Sequence, residues 1–324
     1  MALTRYTDAL ADPLLLLPAY ANEHSLQPFY DIVAGAIRGV DANALIHFES
    51  STLIQTEAGF TAVPGGAAYG NTSVFNFHYY TGTTTLSLDQ VVQARVQTAV
   101  ALGCGTILSE YEAGIGSGSE SVVEVSRSAD SALLSAIGWE YKEYDTVSII
   151  TGINDAVEDP LTGAVREDFG AAFSRTYAHA VAGVPVSMHF NDTTKVFVLL
   201  FNFNGATGNG AVTELRTNFA EHYPSGWKVL VVATSGAFDV LAGNGVSKNA
   251  IYLAPSDGKS ASAGAGVAVA VYPVNGTVPI VTAPPAMTMN ATPIATKNSG
   301  SFSSGGSYMV DASLVVLFLG LWLF

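Results

Sequence analysis

The sequence predicts an α/β fold followed by a small antiparallel β-sandwich. Three observations lead there. Helix-like and strand-like stretches alternate four times before residue 142, the order that gives parallel strands with crossover helices. After residue 179 the helical period gives way to short strand-like runs at close spacing, as in a sandwich. The charge changes at the same place: residues 1–178 hold 21 acidic and 7 basic side chains, residues 179–324 hold 6 of each. Such a step marks a domain boundary near 178.

The elements follow in order. Residues 27–40 have helical spacing, with Phe29, Ile32, Val33, Ala36, Ile37 and Val40 on one face and Pro28 near the start. Residues 44–48 read as a buried strand ending at Glu49, and residues 50–73 as a long loop. A second strand over 74–77 leads into His78-Tyr79-Tyr80. Ser87 and Gln90 form a capping box, and the helix it starts runs through Val91, Val92, Arg95, Val96, Ala99 and Val100 to Gly103. Residues 105–111 form a third strand. A Gly/Ser loop precedes a helix over 120–134, with Val122, Val125, Ala129 and Leu133 inward, and then a fourth strand over 135–141.

In the second part, strands over 184–190 and 195–203 flank a turn at Asn191-Asp192-Thr193-Thr194. Further runs fall near 213–219, 227–233, 237–241, 249–254 and 267–272, so the sandwich is expected over 179–273. Residues 274–311 are rich in Pro, Thr, Ser and Gly and read as a linker. Residues 312–324 are uncharged and strongly apolar.

Composition narrows the function. A net charge of −14, concentrated in the first part, repels phosphates and argues against nucleic acid as a partner. A single cysteine, Cys104, forbids an intrachain disulfide. His179, His189 and His222 lack metal-ligand spacing, so no metal is expected. Four N-x-Ser/Thr sequons, at Asn71, Asn191, Asn275 and Asn290, fit a secretory route and a cell-surface or extracellular protein. Yet no signal peptide opens the chain.

The candidate chemistry sits at the strand exits. Gly105 to Tyr111 reads as a strand that carries Glu110 where it leaves the sheet. A buried charge without a partner is costly, so an acid there is seldom a packing residue. In a parallel barrel the C-terminal strand ends line the active site, and Glu49, His78, Tyr80, Glu110 and Trp139 all occupy such ends. A closed barrel needs eight strands, whereas four are counted here. The alternative for Glu110 is a structural carboxylate bonded to loop amides. The alternative for His78, Tyr80 and Trp139 is burial in the core.

Several segments, in order, resemble the endoglycoceramidase-related branch of glycoside hydrolase family 5. Asp12-Pro13-Leu14-Leu15-Leu16-Leu17-Pro18 and Leu26-Gln27-Pro28-Phe29-Tyr30-Asp31 resemble the segment after its barrel strand four. Leu45-Ile46-His47-Phe48-Glu49 resembles strand five, and His78-Tyr79-Tyr80 the strand six motif. Leu108-Ser109-Glu110-Tyr111 resembles the strand seven motif, whose Glu is the nucleophile, and Trp139-Glu140-Tyr141-Lys142 resembles strand eight. The run from Arg175 to Gly183 resembles the start of the family's C-terminal sandwich. Glu112 departs from the pattern, standing where the family has Gly.

The resemblance implies the second half of a (β/α)8 TIM barrel, strands five to eight, followed by an antiparallel β-sandwich. It implies a retaining β-glycosidase acting on glycolipids such as glycosylceramides or steryl glycosides, without a cofactor. Glu110 is then the nucleophile, His78, Tyr80 and Trp139 line the sugar site, and Glu49 is structural or orienting. The family's acid/base Glu lies in an Asn-Glu-Pro motif that this sequence does not contain. A missing N-terminal half-barrel is therefore expected, and with it little activity in residues 1–324 alone. The rival expectation is a non-catalytic fragment that binds glycolipid or protein. At the other end, small residues at Asn298-Ser299-Gly300, a polar spacer and the apolar tail fit a signal for a glycosylphosphatidylinositol anchor to the membrane surface.

Overall fold

The computed structural model describes residues 18–51, 59–80, 86–112, 119–142, 156–159, 161–206, 211–242, 248–258 and 261–287. The Asn290 sequon, the Asp12–Leu17 segment and the C-terminal tail lie outside them.

Helical turns at Pro18–Ala21 and Asn22–Leu26 run into helix α1 (Gln27–Val40). Then come strand β1 (Ile46–Glu49), strand β2 (Ser73–Tyr79), helix α2 (Leu88–Leu102), strand β3 (Gly105–Glu112), helix α3 (Ser119–Ser131) and strand β4 (Ser135–Trp139). The four strands form one sheet in the order β1-β2-β3-β4, every pairing parallel. Alternation along the strands fixes the packing. Phe48, Phe75, Phe77, Leu108 and Tyr111 are buried, and Phe77, Leu108 and Tyr111 pack with Val91 and Val92 of α2 and Val122, Val125 and Ala129 of α3. Phe48 and Phe75 meet Tyr30 and Phe60, Phe48 standing edge-on to both. One residue departs from the alternation: the β2–β3 register passes from Phe77↔Leu108 to His78↔Glu110 and leaves Ser109 unpaired.

Helix α2 is set by its ends. The Ser87 side chain accepts from the Gln90 amide, the Gln90 side chain accepts from the Ser87 amide, and Gly103 closes the helix in the left-handed region. The helix α4 (Glu167–Phe173), which periodicity does not announce, packs against α3 and adds Phe169 to the same core.

Among the described residues the second part has eight strands. These are β5 (Tyr177–Ala180), β6 (Gly183–Asn191), β7 (Val196–Phe203), β8 (Thr213–Arg216), β9 (Trp227–Ala233), β10 (Phe238–Ala242), β11 (Ala250–Pro255) and β12 (Gly266–Pro273), with a short helix α5 (Phe219–His222) after β8. Two antiparallel sheets, β10-β11-β8-β5 and β6-β7-β12-β9, share one core. Phe197, Leu199, Phe201, Val267, Val269 and Val271 fill it from one side, Leu215, Ile251 and Leu253 from the other. The turn between β6 and β7 uses Asn191 Oδ1 to accept from the Thr193 and Thr194 amides. The two parts meet where Arg175 binds Asp130 of α3 through two hydrogen bonds of 2.9 and 2.6 Å.

Three local expectations need correction. The apolar face expected on α1 is not its buried face: Ile32 is 74% and Val40 93% exposed, while Ala34 and Arg38 are buried. Arg38 is drawn inward because its guanidinium satisfies the Pro64 and Thr72 carbonyls and the Ser73 hydroxyl. Leu133 does not face inward from α3. The helix ends at Ser131, Leu133 takes a left-handed backbone with φ 56°, and Leu134 is buried instead. The fourth strand stops at Trp139, so Tyr141 lies beyond the sheet and is exposed.

Candidate active site

The face of the parallel sheet opposite the helices carries the polar residues. With Phe48 committed to the helix side, His47 and Glu49 point the other way. With Phe75 and Phe77 so committed, Asn76 and His78 join them. His47 Nδ1 lies 3.0 Å from Asn76 Oδ1.

The carboxyl ends of β1, β2 and β3 bring Glu49, His78, Tyr80 and Glu110 together. The Tyr80 hydroxyl donates a hydrogen bond to Glu110 Oε1. His78 stands between two carboxyl groups. Its Nδ1 is 3.7 Å from Glu110 Oε1, and its Nε2 is 3.2 Å from Glu49 Oε1. The side chains of His78, Glu49 and Glu110 are 15%, 25% and 19% exposed, so the group is largely withdrawn from water. Glu49 Oε1 itself is buried and makes no well-aligned hydrogen bond. The Glu49 amide donates to the Tyr30 hydroxyl at 3.2 Å, which ties the end of β1 to α1.

Electrostatics separates the two carboxyls' neighbour from Glu49. Burial, helped by the negative charge of Glu110 and opposed by Arg95, pushes the Glu49 carboxyl up to about 7. Burial pushes the His78 imidazole down, against the pull of Glu110. Arg95, buried on α2, is lowered to about 10 by the same loss of water, with Glu49 acting to raise it. A carboxyl displaced this far by desolvation and a like charge is a mark of functional sites.

The expected site residues divide as follows. Glu110, His78 and Tyr80 are in one cluster. Trp139 ends β4 one strand further along, paired in register with Glu112, and is 43% exposed. The peptide after it is cis. Glu49, expected to be structural or orienting, sits against His78. Its place could be found from the sequence only by pairing it with His78 across two strands of like alternation. Of the sequon residues, Asn71 and Asn275 are exposed and Asn191 is half-buried with its side chain engaged in the β6–β7 turn.

Such an arrangement offers an ionisable carboxylate held by a phenol, beside an imidazole, at the end of a parallel strand. Residues 175–263 match the model of the glycoside hydrolase family 5 C-terminal domain. The chain is 36% identical over 217 residues to an endoglycoceramidase of Hydra vulgaris, covering 67% of this chain and 40% of that protein. It is 34% identical over 230 residues to an endoglycoceramidase of Cyanea nozakii, covering 69% and 44%. The chain thus spans less than half the length of either relative. Among solved structures, an endogalactoceramidase superposes with a TM-score of 0.53 at 16% identity, over 79% of this chain and 54% of that one. Sterylglucosidase 1 of Cryptococcus neoformans superposes with a TM-score of 0.50 at 13% identity, over 78% and 44%. At such identities the structural likeness speaks for the fold alone. The chain is thus similar to endoglycoceramidases over about two thirds of its length, and its residues 175–263 to the glycoside hydrolase family 5 C-terminal domain.

Proposed function

We infer, from a chain that resembles the glycolipid-hydrolase branch of glycoside hydrolase family 5 over 67% of its length, that Glu110 is the nucleophile of a retaining β-glycosidase. The substrate is a glycolipid such as a glycosylceramide or a steryl glycoside. The observation that carries this reading is the Tyr80 hydroxyl bonded to Glu110 with His78 alongside. A phenol donor fixes the carboxylate's position and aims it. Glu110 then attacks the anomeric carbon, the bond to the aglycone oxygen breaks, and water later cleaves the glycosyl ester. The exposed ring of Trp139 provides a platform for the apolar face of the sugar.

The parallel sheet is one side of a (β/α)8 barrel, its strands corresponding to five through eight. A retaining mechanism needs a second carboxyl about 5–5.5 Å from the nucleophile to protonate the leaving oxygen. Glu49 lies behind His78 rather than across a sugar from Glu110. Among the described residues β1 and β4 are the outer strands of the sheet, and our reading places the proton donor on strand–helix units that would pair with them, with poor turnover of natural glycolipids expected where those units are lacking.

The test is trapping with a 2-deoxy-2-fluoro-β-glucoside that carries a dinitrophenolate leaving group. That group departs without a proton, so labelling reports the nucleophile alone. Mass spectrometry should find one fluoroglycosyl ester, on the peptide holding Glu110, and none in Glu110→Gln. An adduct on another carboxylate overturns the assignment. No adduct, with retained binding to glycolipid vesicles, favours a binding fragment.

A cell-surface location belongs to the same proposal. Exposed Asn71 and Asn275 suit glycosylation, and the composition of residues 298–324 suits replacement of the tail by a lipid anchor. Among the described residues no helix is long and apolar enough to cross a membrane. Retention on cells after phosphatidylinositol-specific phospholipase, beside a control that is released, counts against the anchor.

A further inference from the structure

One imidazole faces two carboxyl groups: His78 Nε2 is 3.2 Å from Glu49 Oε1, and Nδ1 is 3.7 Å from Glu110 Oε1. A neutral imidazole has one N–H and one lone pair, and an ionised carboxylate only accepts. Both contacts cannot then be matched if His78 is neutral and both carboxyls are ionised. One ring lone pair would face an oxygen lone pair inside a site largely closed to water, and that is costly.

Among the possible proton arrangements, three bear on which side of the ring faces the nucleophile. With Nε2–H and two carboxylates, Glu110 faces a lone pair and the cluster carries two negative charges. With a protonated imidazole between two carboxylates, the net charge is one. With Glu49 protonated, its O–H donates to Nε2, Nδ1–H points at Glu110, and the net charge is again one. The second and third share one proton count and differ in where the proton rests. Burial disfavours the imidazolium, since it pushes His78 down, and it favours the neutral carboxyl, since it pushes Glu49 up to about 7. The third arrangement wins below that point. It also places the charge on Glu110, where Tyr80 already donates.

We propose that Glu49 is a positioning residue that carries the site's spare proton and, through His78, turns an N–H rather than a lone pair toward the nucleophile. The proposal rests on the assignment of Glu110 above. The groups around Glu49 support it from each element: Tyr30 of α1 at its amide, Arg95 of α2, His47 on β1 and Asn76 on β2 bound to each other, and Glu110 of β3 beyond the ring. Arg95 is the one fixed cation among them, and its pull on Glu49 is outweighed by burial and Glu110. When Glu49 ionises, the surviving matched contact is Nε2–H to Glu49. The tautomer of His78 must then invert, and the N–H that faced Glu110 is replaced by a lone pair.

The test reads the tautomer directly. Full-length protein with ¹⁵N-labelled histidine is followed by two-bond nitrogen–proton spectra from pH 5 to 9, with His78 assigned by His78→Asn. The expected result is a neutral Nδ1–H ring at acid pH that converts to Nε2–H near the Glu49 midpoint. In Glu49→Gln the amide N–H can donate to Nε2 at every pH, so the ring should stay Nδ1–H and the inversion should vanish. In Glu110→Gln the inversion should move to lower pH. An imidazolium spectrum at pH 6 in the wild type overturns the proposal without any variant, as does an inversion that persists in Glu49→Gln. None of these readouts needs turnover. Failure of the trapping experiment with the tautomer inversion intact would sink the nucleophile assignment and leave the proton placement standing.

Discussion

Breaking the Asp130–Arg175 pair should cost far more than a surface ion pair. The Asp130 side chain is 2% and the Arg175 side chain 18% exposed, and the guanidinium engages the carboxylate through both oxygens. Exposed pairs are worth about 0–1 kcal/mol, but stripping one partner from a buried pair costs roughly 3–5 kcal/mol, because the remaining charge is stranded. Arg175→Met keeps the length and apolar stem of the side chain and removes the charge. It should therefore cost roughly 3–5 kcal/mol at pH 7.5. Asp130→Leu combined with Arg175→Met should recover most of that loss, since buried pairs replaced by apolar residues are often neutral. The cost should also depend on pH with a definite sign. Burial already pushes the Asp130 carboxyl up against Arg175, and losing the guanidinium pushes it further. A carboxyl raised in the folded state stabilises at low pH and loses that contribution as pH rises through its folded value, so Arg175→Met should be less damaging at pH 4.5 than at pH 7.5. The assay is urea unfolding followed through Trp139 in the first part and Trp227 in the second. Because the pair links α3 to the start of β5, the variant should also separate the two fluorescence transitions. A loss below about 1 kcal/mol, with the transitions still coincident, would refute the argument, for the pair would then behave as a solvated one.

Three further outcomes can be checked. Glu49, raised from 4.5 to about 7, should withdraw roughly 3 kcal/mol of folding stability as pH rises across that window; the slope should be absent in Glu49→Gln, and equal slopes in the two proteins would contradict it. Tyr80→Phe removes a hydrogen bond to a charged group and should slow fluoroglycoside trapping roughly 10–100-fold with unfolding unchanged; an unaltered rate would show the phenol to be idle. A Cβ at Gly138 would lie 2.5 Å from Phe173 Cζ and 3.2 Å from Tyr111 Cζ, so Gly138→Ala should cost about 1–3 kcal/mol; calorimetry should find part of it returned by Phe173→Leu.

Much of the fold is legible because local chemistry and burial agree. Ser87, Gln90 and Gly103 define α2 by themselves, and the alternation of Phe197, Leu199, Phe201 and Phe203 defines β7 and its inner face. The misreadings arise where a distant partner decides. On α1 the side chain that goes inward is Arg38, drawn by carbonyls 26 to 34 residues away, and no periodicity of apolar residues can announce that. Leu133 reads as one more inward position until the chain turns left-handed there. At the site, Glu110 with Tyr80 could be anticipated from strand ends, whereas the role of Glu49 could not. Its meaning depends on His78, which lies 29 residues onward and comes alongside only through the sheet.

Ser109, the residue left without a partner between β2 and β3, amounts to a counting device. Two-residue periodicity would send Glu110 to the same side as Leu108, into the oily layer beneath α2 and α3. The additional residue resets the parity. Leu108 stays with the helices, Glu110 emerges beside His78, and Tyr111 returns to the helices. The same offset recurs on the other flank, where Leu108 and Tyr111 lie opposite Ala136 and Gly138. The orientation of the carboxylate is thus encoded by how many residues precede it, and hardly by which ones. Ser109 should accept Ala or Gly with small loss, because among the described residues its side chain offers one bond, to the Phe77 carbonyl. Deleting it should leave a protein of almost identical composition whose Glu110 is aimed into hydrocarbon, so that the proposed nucleophile leaves His78 and Tyr80 without any change in the identity of a residue of the cluster.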